Sequence, residues 1–437
     1  MKRKEKQEQI KQTHLEKVLD FCEDVGRRMI VCGASIERVQ LAIERICSVY
    51  RLEDVSVYLL SGYLSIGARD AEGRYASRQG AIPPAGIHLL RLKQLNRLCY
   101  TVAEKVPAPE QLHKMLEDAA TLKEIPDPFI LLAQVLALSC LCLIFGGSYR
   151  ELLPVAIGAA VLHGLQYLMQ KTGIDRLVVN ALTMFFTTVL VLLLMRTGVS
   201  TNGPVILITV SMLVIPGIPL VNAVRNLLCG NEMNGAFQLL KLTIETMALG
   251  IGVYLALWIF GLRDGLSEAV VTTLTNPLLL ILLSFGASVS FGFVFRIAPA
   301  DLWIAGLGGV LTRIVLLIMT QFTGTRLVYI TVAALVASLY AELWARKEKV
   351  PSTYFAYPAI VPLIPGDLFY YSLAGLYNQD FTMFASNGLK CLLVLLGMSM
   401  GFVLSSVIAH FLHRRKHLRI IATPKTKSAV PPAQEKQ

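Results

Sequence analysis

Charged residues are scarce in most of this 437-residue chain, which excludes an ordinary soluble fold for that part. Positions 1–128 hold 20 of the 41 Lys and Arg and 18 of the 30 Asp and Glu, so charge is much sparser in the longer remainder. Hydrophobic residues make up 54% of the chain, and the mean hydropathy is +0.57. We therefore predict a polytopic α-helical membrane protein with a soluble N-terminal domain, here called the head.

The patterns of several other protein classes are missing. The eight cysteines form no C-x-x-C pair and no histidine lies at metal-ligand spacing, so neither a metal site nor a disulfide framework is expected. No apolar segment follows the charged N-terminus, so a cleaved signal peptide is not expected. The net charge of +11 is concentrated in membrane-flanking segments and the tail, which indicates positive-inside anchoring in lipid rather than nucleic-acid binding. No cofactor is predicted.

The head, residues 1–128, is predicted to be a small α+β domain in the order ααβββαα. Gly33, Ser35, Glu37 and Arg38 form its most distinctive motif. Ser35 is expected to cap a helix, and Glu37 and Arg38 are expected on a solvated helix face. A nucleophilic Ser35 is the weaker interpretation, because no strand precedes it and the second glycine of a nucleophile elbow is missing.

Ten apolar segments long enough to cross a membrane follow the head. An even number places both termini on one side, and the distribution of Lys and Arg makes that side the cytoplasm. We expect a first five-helix half at 129–270, a second at 271–413 and a basic disordered tail at 414–437. The predicted segments are about 129–147, 152–170, 177–195, 204–221, 241–261, 276–295, 301–319, 326–345, 356–375 and 388–412.

Two of these segments are broken at corresponding positions. Pro216-Gly217-x-Pro219 and Pro365-Gly366 match at an offset of 149, and proline and glycine both interrupt helices. Phe145-Gly146 matches Phe291-Gly292 at an offset of 146. Two halves with an odd number of spans must have opposite orientations, so the pattern predicts an inverted-topology repeat with a binding site near the membrane midplane.

The broken segments are expected to form that site. Free N–H groups beside a break suit a carboxylate and free carbonyls suit an ammonium, so a zwitterionic amino acid could use both. Arg225 is either a ligand or a positive-inside anchor, and the sequence leaves both open. The expected substrate-binding residues are Pro216, Gly217, Pro219, Asn222, Arg225, Pro365, Gly366 and Tyr370.

Ionisable residues within membrane spans are costly and usually functional. Glu245, placed about one turn into the fifth span, and Asp367, directly after the second break, are candidates for proton coupling. Arg313, deep in the seventh span, is a candidate for charge compensation. His163 either titrates near neutral pH or is a packed polar residue.

With these residues in place, the chain resembles the threonine/serine exporter family, in the form that fuses both membrane halves behind a cytoplasmic head. The resemblance covers about residues 14 to 412 and implies ten membrane helices and proton-driven export of small hydroxy amino acids. Split relatives are associated with dicarboxylate export. The matching segments are Gly33-Ala34-Ser35-Ile36-Glu37-Arg38-Val39, Phe145-Gly146-Gly147, Pro216-Gly217-x-Pro219-Leu220-x-Asn222-Ala223-x-Arg225 and Pro362-Leu363-x-Pro365-Gly366 with Tyr370.

The chain also departs from the family pattern. Acidic residues are expected at two positions where this chain has Asn226 and Asn231, which makes Glu245 and Asp367 the more prominent proton carriers.

The leading hypothesis is a secondary transporter, not an enzyme, in the cell (inner or plasma) membrane with cytoplasmic termini. It would export threonine or serine in exchange for protons. The alternatives are a dicarboxylate exporter on the same fold, a membrane-anchored hydrolase or regulator acting through the head, and a passive channel. The sequence leaves homo-oligomerisation open.

Overall fold

The computed structural model describes residues 14–60, 62–83, 86–121, 125–170, 174–199, 202–262 and 276–422. Side chains are described within these ranges except at 170, 176 and 412–422. The last helix continues past residue 413 to Ala422, so the predicted tail begins as helix, and its remainder lies outside the described residues.

The head contains four helices and one three-stranded antiparallel sheet in the order β1-β2-β3, and the predicted order ααβββαα is confirmed. Strand β2 alternates between faces, and its inward residues Leu64, Ile66 and Ala68 are fully buried. The elements are α1 (His14–Val31), α2 (Ile36–Val49), β1 (Glu53–Leu60), β2 (Tyr63–Arg69), β3 (Tyr75–Ala81), α3 (Leu89–Lys105) and α4 (Pro109–Ala120).

The core of the head lies between this sheet and the helices. Val25 and Met29 of α1 and Ile43 of α2 are completely buried, as the helical spacing of apolar residues predicts. Burying each such side chain contributes roughly 1.5–3 kcal/mol to stability. The head therefore has a buried core of its own between the sheet and the helices.

The membrane body is entirely helical where the structure describes it. It consists of α5 (Asp127–Ile144), α6 (Tyr149–Gln170), α7 (Arg176–Arg196), α8 (Gly203–Ser211), α9 (Gly217–Leu228), α10 (Glu232–Ile259), α11 (Pro277–Val294), α12 (Leu302–Phe322), α13 (Arg326–Glu348), α14 (Thr353–Ile360), α15 (Gly366–Tyr377) and α16 (Phe381–Ala422), with short 3-10 turns before α12 and after α14.

Eight helices of the described chain are long and apolar enough to cross a membrane, and the α14–α15 pair, bent by 58°, would be a ninth. A tenth span would require α8 and α9, two short helices separated by the segment 212–216. Ten spans therefore remain a prediction.

The order of helices in the first half of the membrane body is repeated in the second. The predicted match of Phe145 with Phe291 is wrong in register. Phe145 is the C-cap residue of α5, and the residue at the same place on α11 is Phe295; their φ angles are −80° and −81°. Phe291 lies one turn earlier, inside α11. Corresponding helices begin at Asp127 and Pro277, Arg176 and Arg326, Gly203 and Thr353, Gly217 and Gly366, and Glu232 and Phe381, with a nearly constant offset.

The head contacts only some ends of the membrane helices. The backbone N–H groups of Leu89 and Leu90, at the start of α3, donate to the carbonyls of Phe295 and Arg296 at 2.9 Å. Asn234 in the first turn of α10 donates to a carbonyl of β1. Because α9 ends beside the head whereas α14 begins beside it, the two broken segments run in opposite directions.

Candidate functional site

The two breaks have nearly the same local geometry. Pro216 and Pro365 have φ and ψ of −79° and 57°, and −83° and 64°. In each break the glycine after the proline donates its N–H to the carbonyl two residues earlier, Ile215 at 2.8 Å and Ile364 at 2.9 Å. Each segment is thus a short helix, a tight turn at proline and a 12-residue helix. Pro219 lies in the first turn of α9, where its missing N–H is not needed.

The breaks also contact each other. A side chain on Gly217 would lie 2.7 Å from Cγ2 of Ile364, and one on Gly366 would overlap the sulfur of Met212. Each glycine therefore packs against the chain just before the other break, and both positions need a residue without Cβ. The prediction that the two breaks face each other agrees with this packing.

A cavity of about 80 Å³ lies beside the breaks, between α8, α10 and α15. Ile215 and Tyr370 line it, so both breaks border it. The lining is mainly apolar, and tyrosine hydroxyls supply most of its polar groups. Tyr377 stacks on Tyr254 with ring centroids 5.1 Å apart and donates to the carbonyl of Met247 at 2.9 Å. An apolar lining with a few polar groups is typical of small-molecule sites, whereas the volume lies below their usual range of about 300–1,000 Å³.

Glu245 lies below this cavity in the middle of α10. The helix begins at Glu232, so Glu245 is roughly 20 Å along it, and its predicted place one turn into a span that starts at about residue 241 stays a prediction. Leu249 and Val253, one and two turns further on the same face, line the cavity. Glu245 is 8% exposed, and among the described residues its carboxylate has no hydrogen bond or ion pair. Burial without a partner makes it a strong proton-carrier candidate.

Asp367, the other predicted proton carrier, lies in a different environment. It occupies the first turn of α15, and its side chain is 42% exposed and lies 4.0 Å from Arg326. The carboxylate is therefore partly open to solvent beside a cation, and it is not enclosed beside the cavity.

Arg313 is buried between α11 and α12, away from the cavity lining. Its Nε donates to the Ser284 hydroxyl at 2.9 Å, and one terminal nitrogen has no partner in the described chain. The corresponding positions of the first half hold a second polar pair, His163 Nδ1 and Gln134 Oε1, 2.9 Å apart. His163 is therefore a packed polar residue with one ring nitrogen engaged.

Asn222 and Arg225 point to a second polar group, the head-side cluster, rather than to the cavity. Asn222 donates to the Tyr357 hydroxyl at 2.8 Å, and that hydroxyl lies 3.5 Å from the Gly33 carbonyl of the head. The carboxylate of Glu37 accepts from Asn231 at 3.2 Å. The cluster consists of Gly33, Glu37, Asn222, Arg225, Asn231 and Tyr357.

Two expectations for the head motif are corrected here. Glu37 is not on a solvated face but half-buried against the membrane body. Ser35 occupies the N-cap of α2 as predicted, yet its side chain makes no capping hydrogen bond. Arg38 is half-buried on the same helix. Sequence reasoning missed Tyr357, although its place one and a half turns before Pro362, in an apolar segment, was a signal.

The hydrolase alternative needs a histidine beside Ser35. The ring of His14 meets the ring of Tyr50 edge-on, with the centroids 5.9 Å apart, so it is engaged away from Ser35. His88 lies nearer, because its backbone N–H donates to the Cys32 carbonyl at 3.2 Å, and its Nδ1 accepts from the Arg91 N–H at the start of α3. Within the described ranges, no three His, Cys, Asp or Glu side chains converge as metal ligands.

A buried ion pair holds the head on the second membrane half. Lys93 Nζ lies 2.6 Å from Asp301 Oδ2, with side chains 9% and 10% exposed. The same carboxylate accepts from the Tyr354 hydroxyl at 2.8 Å, which itself accepts from the Ala298 N–H at 2.9 Å. The buried charges of Lys93 and Asp301 thus compensate each other, and removing either side chain would leave the other charge buried and unpaired.

Comparisons with known proteins agree with this architecture. The family model described as "Putative threonine/serine exporter" matches residues 20–260, and "Threonine/Serine exporter, ThrE" matches residues 280–408. "Probable succinate transporter subunit YjjP" of Escherichia coli K12 is 28% identical over 129 residues, 29% of this chain and 50% of that protein. Its counterpart in Klebsiella aerogenes is 22% identical over 179 residues, 41% of this chain and 69% of that protein. The chain thus spans half the length of the first relative, and no solved structure matches.

Proposed function

Because the chain belongs to the threonine/serine exporter family, we propose that it exports threonine, serine or similar hydroxy amino acids in exchange for protons. The observation that carries this proposal is the contact between the two breaks beside a small cavity, with a buried carboxylate one turn below. Breaks of this kind are where transporters bind substrate.

We propose that two five-helix halves, at 129–270 and 271–413, are inverted relative to each other and rock about the contacting breaks. The opposite directions of α8–α9 and α14–α15 relative to the head support this arrangement. Gly217 and Gly366 let the two breaks pack closely against each other, and this contact is the proposed pivot. The substrate would bind at the backbone groups of the breaks and at Tyr370.

Proton coupling is assigned to Glu245. A buried ionisable group within a membrane span is usually functional, and we assign to Glu245 the exchange of a proton with water from either side of the membrane. Its position on the cavity face of α10 links that exchange to the occupancy of the cavity. Asp367 is the second candidate, and Arg313 compensates negative charge within the body.

The test is transport by purified protein in liposomes. An imposed pH gradient should drive concentrative threonine uptake, with serine competing and succinate not. If none of the three moves, the proposed class of protein is wrong. Non-saturating flux without proton coupling would indicate a channel instead.

A dicarboxylate exporter is the second candidate, favoured by the similarity to the probable succinate transporter subunit of Escherichia coli. The same assay separates the two, because succinate would then be accumulated and threonine would not.

The head is proposed to lie in the cytoplasm. Cys229 is the one exposed cysteine of the eight, all of which the structure describes, and it lies in the turn between α9 and α10 beside the head. A membrane-impermeant maleimide should label it in inside-out vesicles and not in intact cells. Labelling in intact cells would place the head outside, and Cys229→Ser is the control.

A further inference from the structure

We propose that the head-side cluster is an entry site for zwitterionic α-amino acids, in which Arg225 takes the carboxylate and Glu37 of the head takes the ammonium. The inference rests on the proposed function and names the residue that separates amino acids from dicarboxylates. It also gives the head a direct part in substrate selection.

Three separate parts of the chain build this site. Glu37 comes from the first turn of α2 in the head, Arg225 from α9, and Tyr357 from α14. Arg225 lies one turn after Asn222, so both side chains lie on one face of α9. The Tyr357 hydroxyl accepts from Asn222, and both Arg225 and Glu37 lie close enough to act on that hydroxyl electrostatically.

The two charged groups keep unused hydrogen-bonding capacity. Oε2 of Glu37 and Nε of Arg225 are buried and have no hydrogen-bond partner among the described residues. Within the same residues the two side chains form no ion pair with each other. A buried charged group without its hydrogen bonds is costly, so a ligand that supplies an acceptor to one and donors to the other is favoured.

An α-amino acid supplies both kinds of partner, because it carries an acceptor carboxylate and a donor ammonium on one carbon. A dicarboxylate would place its second carboxylate against Glu37, and like charges at short range discriminate strongly. Asn231 donates to Oε1 of Glu37, which fixes the carboxylate and leaves Oε2 for the ligand. The cluster therefore selects by charge pattern rather than by size.

The location indicates an entry site rather than the central site. Arg225 lies about two turns beyond Gly217 on α9, roughly 12 Å from the first break. It lies at the end of α9 that faces the head, so a substrate coming from that side meets the cluster before it reaches the breaks. The Tyr357 hydroxyl lies 3.5 Å from the Gly33 carbonyl, so the head borders the cluster.

Ligand-induced thermal stabilisation of the purified full chain tests the inference. The probes are L-threonine, 3-hydroxybutyrate, which lacks the ammonium, and succinate. The wild-type protein should bind threonine at least about tenfold more tightly than the other two, which corresponds to the loss of one charge-assisted interaction. Glu37→Gln should abolish that preference by weakening threonine binding while leaving 3-hydroxybutyrate binding unchanged.

Two further variants separate selection from folding. Glu44→Gln changes an exposed carboxylate on the same helix and should keep the wild-type preference. Glu37→Asp keeps the negative charge and should keep part of the preference for threonine. Without ligand, all variants should have the melting temperature of the wild-type protein. If Glu37→Gln binds threonine with undiminished preference, the entry site is refuted while the transporter proposal stands. If the wild-type protein moves none of the substrates in liposomes, the transporter proposal fails independently of this result.

Discussion

The first and second membrane halves place the same backbone turn at Pro216 and Pro365 but surround it with different side chains. Both halves also use a glycine for close helix packing, at Gly252 of α10 and at the corresponding Gly401 of α16. The repeated backbone supplies two similar breaks. The proposed chemistry therefore depends on the side chains that differ between the halves.

The charged groups near the two breaks are divided unequally between the halves. Glu245 in the first half corresponds to Val394 in the second, and Arg225 corresponds to Ala374. The first half thus carries the proposed proton carrier and the cation of the entry site. Only one half needs these groups if the halves move as rigid bodies past a shared site.

The helix starts of α6 and α12 show a second contrast. Glu151 accepts from the N–H and the hydroxyl of Ser148 in a capping box, at 2.8 and 2.6 Å. The corresponding acid in the second half, Asp301, binds Lys93 of the head instead. The acid at this position therefore caps a helix in the first half, as Glu151, and binds the head in the second half, as Asp301.

The largest expected effect comes from removing the carboxylate that only the first half has. Glu245→Gln should lose proton-driven threonine accumulation completely, because the amide cannot carry a proton, yet keep threonine counterflow. The measurement is both assays on one liposome preparation, with Glu342→Gln, a half-exposed carboxylate paired to Arg346, as control. Retained accumulation in Glu245→Gln would move proton coupling to Asp367.

The next effect concerns the docking point that only the second half has. Lys93→Met should destabilise the protein by roughly 3–5 kcal/mol, because Asp301 is left buried and unpaired. Thermal unfolding in detergent measures this, and Arg28→Met, which breaks an exposed ion pair with Glu117, should cost about 1 kcal/mol or less. The double variant Lys93→Met with Asp301→Leu should recover much of the loss, and no recovery would contradict the proposed uncompensated charge.

A smaller effect tests whether the shared packing is equally tight in both halves. A Cβ on Gly252 would overlap the Ala181 carbonyl oxygen, and one on Gly401 would lie 2.7 Å from Ala334 Cβ. Gly252→Ala and Gly401→Ala should each cost roughly 1–3 kcal/mol in thermal stability. Gly164→Ala, which meets open space within α6, should be neutral or stabilising by up to about 1 kcal/mol. If the two substitutions reduced the thermal stability by clearly different amounts, the two halves would not share the same helix packing at these positions.

Local patterns predicted much of this architecture. Helical and period-two spacing identified the head elements, and the Pro-Gly pairs identified both breaks, because proline and glycine act on their own backbone. The docking of the head was not predictable, since Glu37 contacts Asn231, far away in the sequence, and looks like any charge on an amphipathic helix. The Phe291 match failed because a two-letter motif recurs one turn from the true helix end.

The smallest effect comes from the exposed surface of the head, in contrast to its buried docking point. Lys17 lies 2.7 Å from Glu110, whose side chain is 63% exposed, and this hydrogen bond holds the pKa of Glu110 below its ordinary value of 4.5. Because the pKa of Glu110 is lower in the folded than in the unfolded state, its ionised form stabilises the folded state fully at pH values above 4.5. This contribution is lost as the pH falls through the pKa of the folded state. Glu110→Gln should therefore reduce the melting temperature by at most about 2 °C at pH 7, and by progressively less as the pH falls below 4.5. A larger change at pH 7, comparable to that of Lys93→Met, would mean that surface charges contribute as much as the buried pair.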